Sequence, residues 1–524
     1  MKKSIVEAFA QSESDFKVRT KKGKVTITGY LGSAAAVVIP ATIGGNPVVG
    51  IWYKAFYSRT ALTSVSIPKS VTGIGDGAFS GCTRLTSISI PAGVTTIGDG
   101  AFEGCTGLTS INIPAGVTTI GDGALAFCTR LTAIQADVNN QKYVSRNGIL
   151  FNKTETELVA YPARLKGQYA IPASVTSIRD SAFAGCTGLT SISIPASVTS
   201  IGKMAFSGCT GLTSIQVDTN NRHYSSRDGV LLSKTGDTLI TYPAGLKERQ
   251  YAIPAGVTSI WDGAFEGCTG LTSVSIPAGV TSIAIGAFSD CTGLTSVSIP
   301  ASVTSIEYSA FRGCIGLTSV SIPASVTSIW DGVFSGCTGL TSVSIPASVT
   351  SIGWAAFYGC TGLTSVSIPA SVTSIAGSAF SNCTGLTSVS IPASVTRIGG
   401  NAFRGCTGLT SVSIPAGVTR IQNGAFSGCT GLTSVSIPAS VTRIGGNAFR
   451  GCTGLTSVSI PASVTRIQNG AFSGCTGLTA IRIGANVRIG STAFENNFSG
   501  YYDTNGYKAG VYTLQGDAWS YAEQ

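Results

Sequence analysis

The chain has 524 residues, with 34 Lys and Arg against 24 Asp and Glu, a formal net charge of +10. Only 11% of its residues are charged, against about 25% in ordinary globular proteins, and Gly, Ser and Thr supply the polar surface instead. The basic excess is too modest to argue for nucleic acid, and no stretch has the length of a transmembrane helix.

Residues 1–15 are polar, charged and without period, and read as disordered. MKKSIVEAFAQSESDF has two lysines but no apolar central region, so it does not read as a signal peptide. Phe16, Val18, Val25, Ile27 and Tyr30 then alternate around Lys22-Gly23. They predict a β-hairpin that covers the open end of whatever follows. A first, irregular coil about Ile51 to Ile67 carries Ala55-Phe56, with Arg59 where later coils have cysteine.

From Cys82 a repeat takes over. Cys82, Cys105 and Cys128 are 23 residues apart, and so are successive cysteines from Cys268 to Cys475. A fixed period of this length means a solenoid. In the coil that opens at Leu271 the apolar positions are Leu271, Val274, Ile276, Val280, Ile283, Ala287, Phe288 and Cys291. Leu-x-x-Val-x-Ile predicts a strand, with Ser273 and Ser275 pointing outward. Pro277 ends that strand because it has no N–H for the ladder. Val-Thr-Ser-Ile predicts a second short strand, and Ala-Phe a 3₁₀ turn that buries Phe288. One coil cannot bury these side chains alone, so coils stack and build ladders of Leu, Val, Ile, Phe and Cys. All 15 cysteines share one repeat position. An odd number cannot all pair, and 23-residue spacing fits no zinc pattern, so they read as buried free thiols.

The beat breaks twice, from Cys128 to Cys186 and from Cys209 to Cys268, leaving insertions of 35 and 36 residues. The two resemble each other: Tyr143 and Ser145 match Tyr224 and Ser226, and Asn147-Gly148 matches Asp228-Gly229. Each reads as a β-hairpin or small three-stranded element projecting from one coil. The tail carries Asn505-Gly506 and Gln515-Gly516-Asp517 between aromatic runs and predicts a second hairpin cap. The expected architecture is a β-rich solenoid of about 17 short coils with parallel strand ladders, two β-hairpin insertions and β-hairpin caps. At strand spacing it would run roughly 80 Å. The boundaries are 1–47 for the start and N-terminal cap, and 48–497 for the solenoid, with insertions near 136–170 and 217–252. The C-terminal cap takes 498–524.

The pattern L-x-x-[VI]-x-IP-x-x-VT-x-I-x-x-x-AF-x-x-C, repeated over roughly nine-tenths of the chain, resembles the BspA-like leucine-rich repeat. That class is found in bacterial surface proteins and in some protozoan ones. The resemblance implies a cell-surface or secreted protein, an adhesin or virulence factor, that binds host matrix proteins such as fibronectin or fibrinogen. The N-terminal residues, which do not read as a signal peptide, stand against that placement.

Little in the chain points to catalysis. His223, the only histidine, lies in the second insertion with no Cys, Asp or Glu cluster, and reads as a solvated loop residue. GxxxxGK[ST], GxSxG and HExxH do not occur. The expectation is a non-enzyme without cofactor or metal. What varies between coils is the triplet between the second-strand Ile and Ala-Phe, together with the residue after Phe. These positions carry Trp261, Tyr308, Trp330, Trp354 and Tyr358. They read either as an exposed protein-binding patch or as rings folded over gaps between coils. Arg397, Arg420, Arg443 and Arg466 take the position before the second-strand Ile in four consecutive coils. They form a basic stripe suited to a polyanion such as heparin or to an acidic protein face, or else a solvated edge copied with its coil. The leading reading is a binding protein with an extended surface. The alternative is a structural spacer or assembly module without a specific ligand.

Overall fold

The computed structural model describes residues 11–495, 497–516 and 518–523. Two units, Met1–Lys247 and Glu248–Gln524, are built on one plan. That plan is clearest in the second. Ser273–Ser275 is a first strand and Ser282–Ile283 a second. Each pairs in parallel with its equivalent 23 residues on, Val274 with Val297 and Ile283 with Ile306. Between them Val280 N–H donates to Pro277 O at 3.1 Å, so the proline that ends one strand also anchors the turn to the next.

The Ala-Phe segment differs from the expected 3₁₀ turn. Its amides alternate in direction. Ala287, Ser289 and Cys291 donate three residues back within the coil, to Ala284, Gly286 and Phe288. Gly286, Phe288 and Asp290 donate across to Tyr308, Ala310 and Arg312 of the next coil at 2.6–2.9 Å. The alternation needs left-handed residues, and Gly286 has φ 59° and Asp290 φ 56°. A continuous 3₁₀ helix would turn every amide inward and leave the next coil's carbonyls unpaired.

Side chains repeat the same logic. From Phe265 to Phe494 the rings stack with centroids 4.8–5.6 Å apart. Every cysteine among the described residues is free and buried. Cys291 Sγ lies 3.0 Å from Phe265 O, and Cys314 Sγ 3.0 Å from Phe288 O, so the thiols cap carbonyls of the preceding coil. Threonine hydroxyls do likewise: Thr295 donates to Thr272 O and Thr304 to Thr281 O. The hydroxyl surface foreseen on the strands is therefore partly spent inside the ladder.

In the first unit Phe16–Lys21 and Lys24–Tyr30 form the antiparallel hairpin about Lys22-Gly23. Tyr30 stacks on Phe56, and Phe56 on Phe79. Arg59, in the cysteine position, donates to Tyr30 O and lies over the Tyr30 ring, a larger donor in the thiol's place. The disorder expected for residues 1–15 fails for its last part. Gln11 brackets Ala36 O and Val38 N–H, and Glu13 accepts from Gly44 N–H. Residues 1–10 lie outside the described residues.

Each insertion is a hairpin whose third strand adds a partial rung to the stack; past the first, Phe127 N–H still donates directly to Ala184 O. Tyr143–Arg146, Ile149–Asn152 and Glu157–Ala160 form an antiparallel meander. Its third strand then pairs in parallel with Ser177–Ile178, where a second strand would lie. Tyr161 takes the phenylalanine place, 5.0 Å from Phe183. With these extra rungs the chain makes about 20 turns, not about 17.

The C-terminal cap also departs from a plain hairpin. Phe498–Thr504 is a short helix, and Asn505 is its C-cap, not a hairpin turn. Gly510–Gln515 and Ala518–Ala522 form the hairpin, and Gly510–Gln515 pairs antiparallel with Ala480–Ile483. The Tyr502 hydroxyl donates to Gly484 O at 2.6 Å and accepts from Val487 N–H at 3.2 Å, pinning helix to last coil.

Candidate binding surface

The residues flanking the second-strand isoleucine share one face of the second unit. A groove of about 440 Å³ is lined by Arg466 and Arg488 before that isoleucine and by Gln468 and Asn469 after it, with Asn423 and Gly446 of neighbouring coils. The core isoleucines below are buried, so the short second strand holds these outward side chains at fixed spacing.

Toward the start of the unit the same face is aromatic and acidic. Trp330 and Tyr308 come together, ring centroids 5.1 Å apart, and remain 39% and 40% exposed. Trp354 is 59% exposed. It leans across the next coil, where a Cβ on Gly377 would meet its Cδ1 at 3.3 Å. Tyr358 is exposed and its hydroxyl accepts from Asn382 Nδ2 at 3.1 Å. Trp261 is half-buried and lies apart from the pair. Ile285, exposed in the coil before Tyr308, extends the row and was missed in the sequence. Asp331 carries its carboxylate beside the row and accepts from Trp354 N–H at 2.7 Å.

The arginines form a true ladder. Arg420 pairs in register with Arg443, Arg443 with Arg466, and Arg466 with Arg488. Arg397 opens it opposite Ser374. Arg488 was missed because the last coil is one residue short of the 23-residue beat. Arg443 is half-buried between its neighbours, and its Nε is enclosed without a hydrogen-bond partner. The ion pairs seen among the described residues, Arg146–Glu155 and Arg179–Glu157, lie in the other unit. Arg488 also borders a hollow of about 410 Å³ with Asp503 and Tyr507.

A second aromatic cluster lies in the first unit. Trp52, Tyr53 and Tyr57 are exposed, with Lys54 Nζ 5.0 Å from the Tyr53 ring and 4.9 Å from the Tyr57 ring. They occupy the same variable positions, hidden in sequence by the irregular first coil. His223 is exposed, and its backbone N–H donates to Asn221 Oδ1 at 2.8 Å. Among the described residues no group of three or more His, Cys, Asp or Glu is placed to hold a metal, and no helix is long and apolar enough to cross a membrane.

Parallel ladders at a fixed beat, a cysteine-capped core and capped ends define a leucine-rich β-solenoid. The BspA type leucine rich repeat region matches residues 50–167, 164–227, 258–387 and 374–499, and the chain belongs to that family. A leucine rich cell surface protein from Faecalibacterium prausnitzii A2-165 is 32% identical, over 72% of this chain and 94% of that one, with a TM-score of 0.37. A leucine-rich repeat protein from Bacteroides ovatus ATCC 8483 is 28% identical, over 86% and 94%, with a TM-score of 0.39. No curated protein matches the chain.

Proposed function

We propose that this chain is a non-catalytic binding protein, displayed at the cell surface or secreted, that recognises protein partners through the aromatic row of its second unit. The observation that carries the reading is the pairing of Tyr308 with Trp330 at 5.1 Å while both stay exposed, with Trp354 exposed two coils after Tyr308. Clustered exposed aromatics are costly in water and are enriched where proteins bind. The half-buried Trp261 and the exposed Tyr358 are secondary contacts in this reading. Surface placement, adhesion and host matrix partners such as fibronectin or fibrinogen follow from the family resemblance.

The test is a titration of the chain against fibronectin, fibrinogen, heparin and an inert globular control at low and high salt. Saturable, salt-resistant binding to a matrix protein that falls at least about tenfold in the Tyr308→Ala, Trp330→Ala, Trp354→Ala triple variant supports the reading. Full retention of binding in that variant refutes the site. A second reading places a polyanion such as heparin on Arg397, Arg420, Arg443 and Arg466. It is favoured by the in-register arginines and predicts binding that disappears with salt.

A further inference from the structure

Charge in the second unit is segregated along the stack. From Glu248 to Asp331 the acidic residues are Glu248, Asp262, Glu266, Asp290, Glu307 and Asp331, against two arginines. From Gly332 to Phe494 there is no Asp or Glu at all, and every charged residue is an arginine. Both halves present charge on the face that carries the groove. Asp262, Glu307 and Asp331 sit just after the second-strand isoleucine, and the arginine ladder just before it.

This face is self-complementary. Take the coil of Ile375 as centre and count equal numbers of coils outward. Trp354 then corresponds to Arg397, and Trp330 with Asp331 to Arg420. Glu307 with Tyr308 corresponds to Arg443, Ile285 to Arg466, and Trp261 with Asp262 to Arg488. The central coil carries Ala376-Gly377-Ser378, whose small residues leave room for the Trp354 ring that leans across it and bring no charge to the axis. We propose that the second unit pairs with a second copy of this chain, antiparallel about a two-fold axis at the Ile375 coil, with the aromatic-acidic half of each copy on the arginine ladder of the other. A two-fold closes the assembly at two copies, because each half finds its complement once. Arginine suits both elements it would meet, a carboxylate and an aromatic face. The inference rests on the reading of this face as an interface and names a partner for it.

The experiment is charge exchange in the full chain, read by sedimentation at low salt. Asp331→Arg and Arg420→Asp are each expected to weaken the dimer at least about tenfold, since each sets like charges opposite one another twice. Mixed in equal amounts, the two variants should recover a species of two copies, because both contacts then join opposite charges. The mixture also controls for folding. Ser holds the Arg420 position in other coils, and recovery in the mixture separates the charge effect of Asp331→Arg from the loss of its bond to Trp354 N–H. A wild-type chain that stays monomeric, a dimer indifferent to both reversals, a mixture that fails to re-form, or growth beyond two copies overturns the proposal. The matrix-protein titration on the same samples separates the two readings. A monomer that binds through its aromatics ends this inference and keeps the function. A charge-exchangeable dimer that ignores the whole panel does the opposite.

Discussion

The thiol of Cys291 lies 3.0 Å from the carbonyl oxygen of Phe265, 26 residues earlier, and the same contact recurs at Cys314, Cys337 and Cys360. Cysteine is thus a small apolar filler that also supplies a donor where the Phe carbonyl turns inward. Serine would bring a stronger, costlier polar group to the same dry ladder, and valine would overfill it.

Alkaline pH should loosen the stack. Burial pushes the Cys82 thiol up to about 11, and those of Cys128 and Cys429 to about 12, from an ordinary value of 9.0. Above pH 9 the unfolded chain gives up protons that the folded chain retains. The folded state then binds more protons, and stability falls as pH rises. Denaturant midpoints should hold steady below about pH 9 and drop between about 9 and 12. In the same experiment a thiol reagent at pH 8 should leave the folded chain unlabelled and react fully after unfolding.

Surface and ladder aromatics should separate sharply in stability. Trp330→Ala removes an exposed ring and should shift unfolding by about 0.5 kcal/mol or less. Phe334→Ala, four residues on, removes a ring stacked on Phe311 and Phe357 and should cost about 3–5 kcal/mol. Urea titrations followed by circular dichroism distinguish the two. Equal costs would mean that Trp330 is part of the core.

Asn140 is fully buried, and its side chain serves four backbone groups. Nδ2 donates to Pro114 O and Val117 O, and Oδ1 accepts from Lys142 and Tyr143 N–H. Asn140→Ala should destabilise the first insertion by about 2–3 kcal/mol. Asn140→Asp keeps the acceptors, loses the donors and should be no better. Amide exchange within residues 141–152 would report the loss directly, and unchanged protection there would rule this role out.

Arg443 is flanked in register by Arg420 and Arg466. In dilute solution, where the chain is a monomer, relieving that repulsion with Arg443→Ser should raise stability at low salt by a few tenths of a kcal/mol, and the gain should fade as salt is added. Thermal midpoints of wild type and variant at two ionic strengths measure it. A gain independent of salt would point instead to the unpartnered Nε.

The ladders were legible because Leu271, Val274, Ile283, Phe288 and Cys291 recur every 23 residues in coil after coil. The integration of the insertions was not. Glu157-Leu158-Val159-Ala160 shares neither the Ile-Pro nor the Val-Thr signature, yet pairs where a second strand belongs. Asn140 looked like one polar loop residue among several, since two of its four bonds reach the preceding coil only once the chain is stacked. Asn505-Gly506 reads equally well as a hairpin turn or a helix end, and the packing of Tyr502 and Phe498 decided for the helix. For the binding face, sequence variation picked out Trp330 and Trp354. It could not show which rings meet, because Tyr308 and Trp330 hold different positions in their triplets.

In the uninterrupted run from Cys268 to Cys475 the amides of each turn reach forward to the next coil and the thiol reaches back to the last, so successive coils there are joined in the same way. Length is then a free variable. Residues 396–441 are nearly repeated as 442–487, and cutting out the first block would join Val395 to Thr442, restoring the Val-Thr-Arg-Ile sequence at the seam. Unequal exchange between such copies in the gene adds or drops whole coils without a mismatched ladder. The arginine stripe lies in the duplicated stretch, so the same exchange lengthens or shortens it. Lineages carrying this gene should therefore differ in steps of whole repeats, giving natural selection a graded series of charged surfaces to act on.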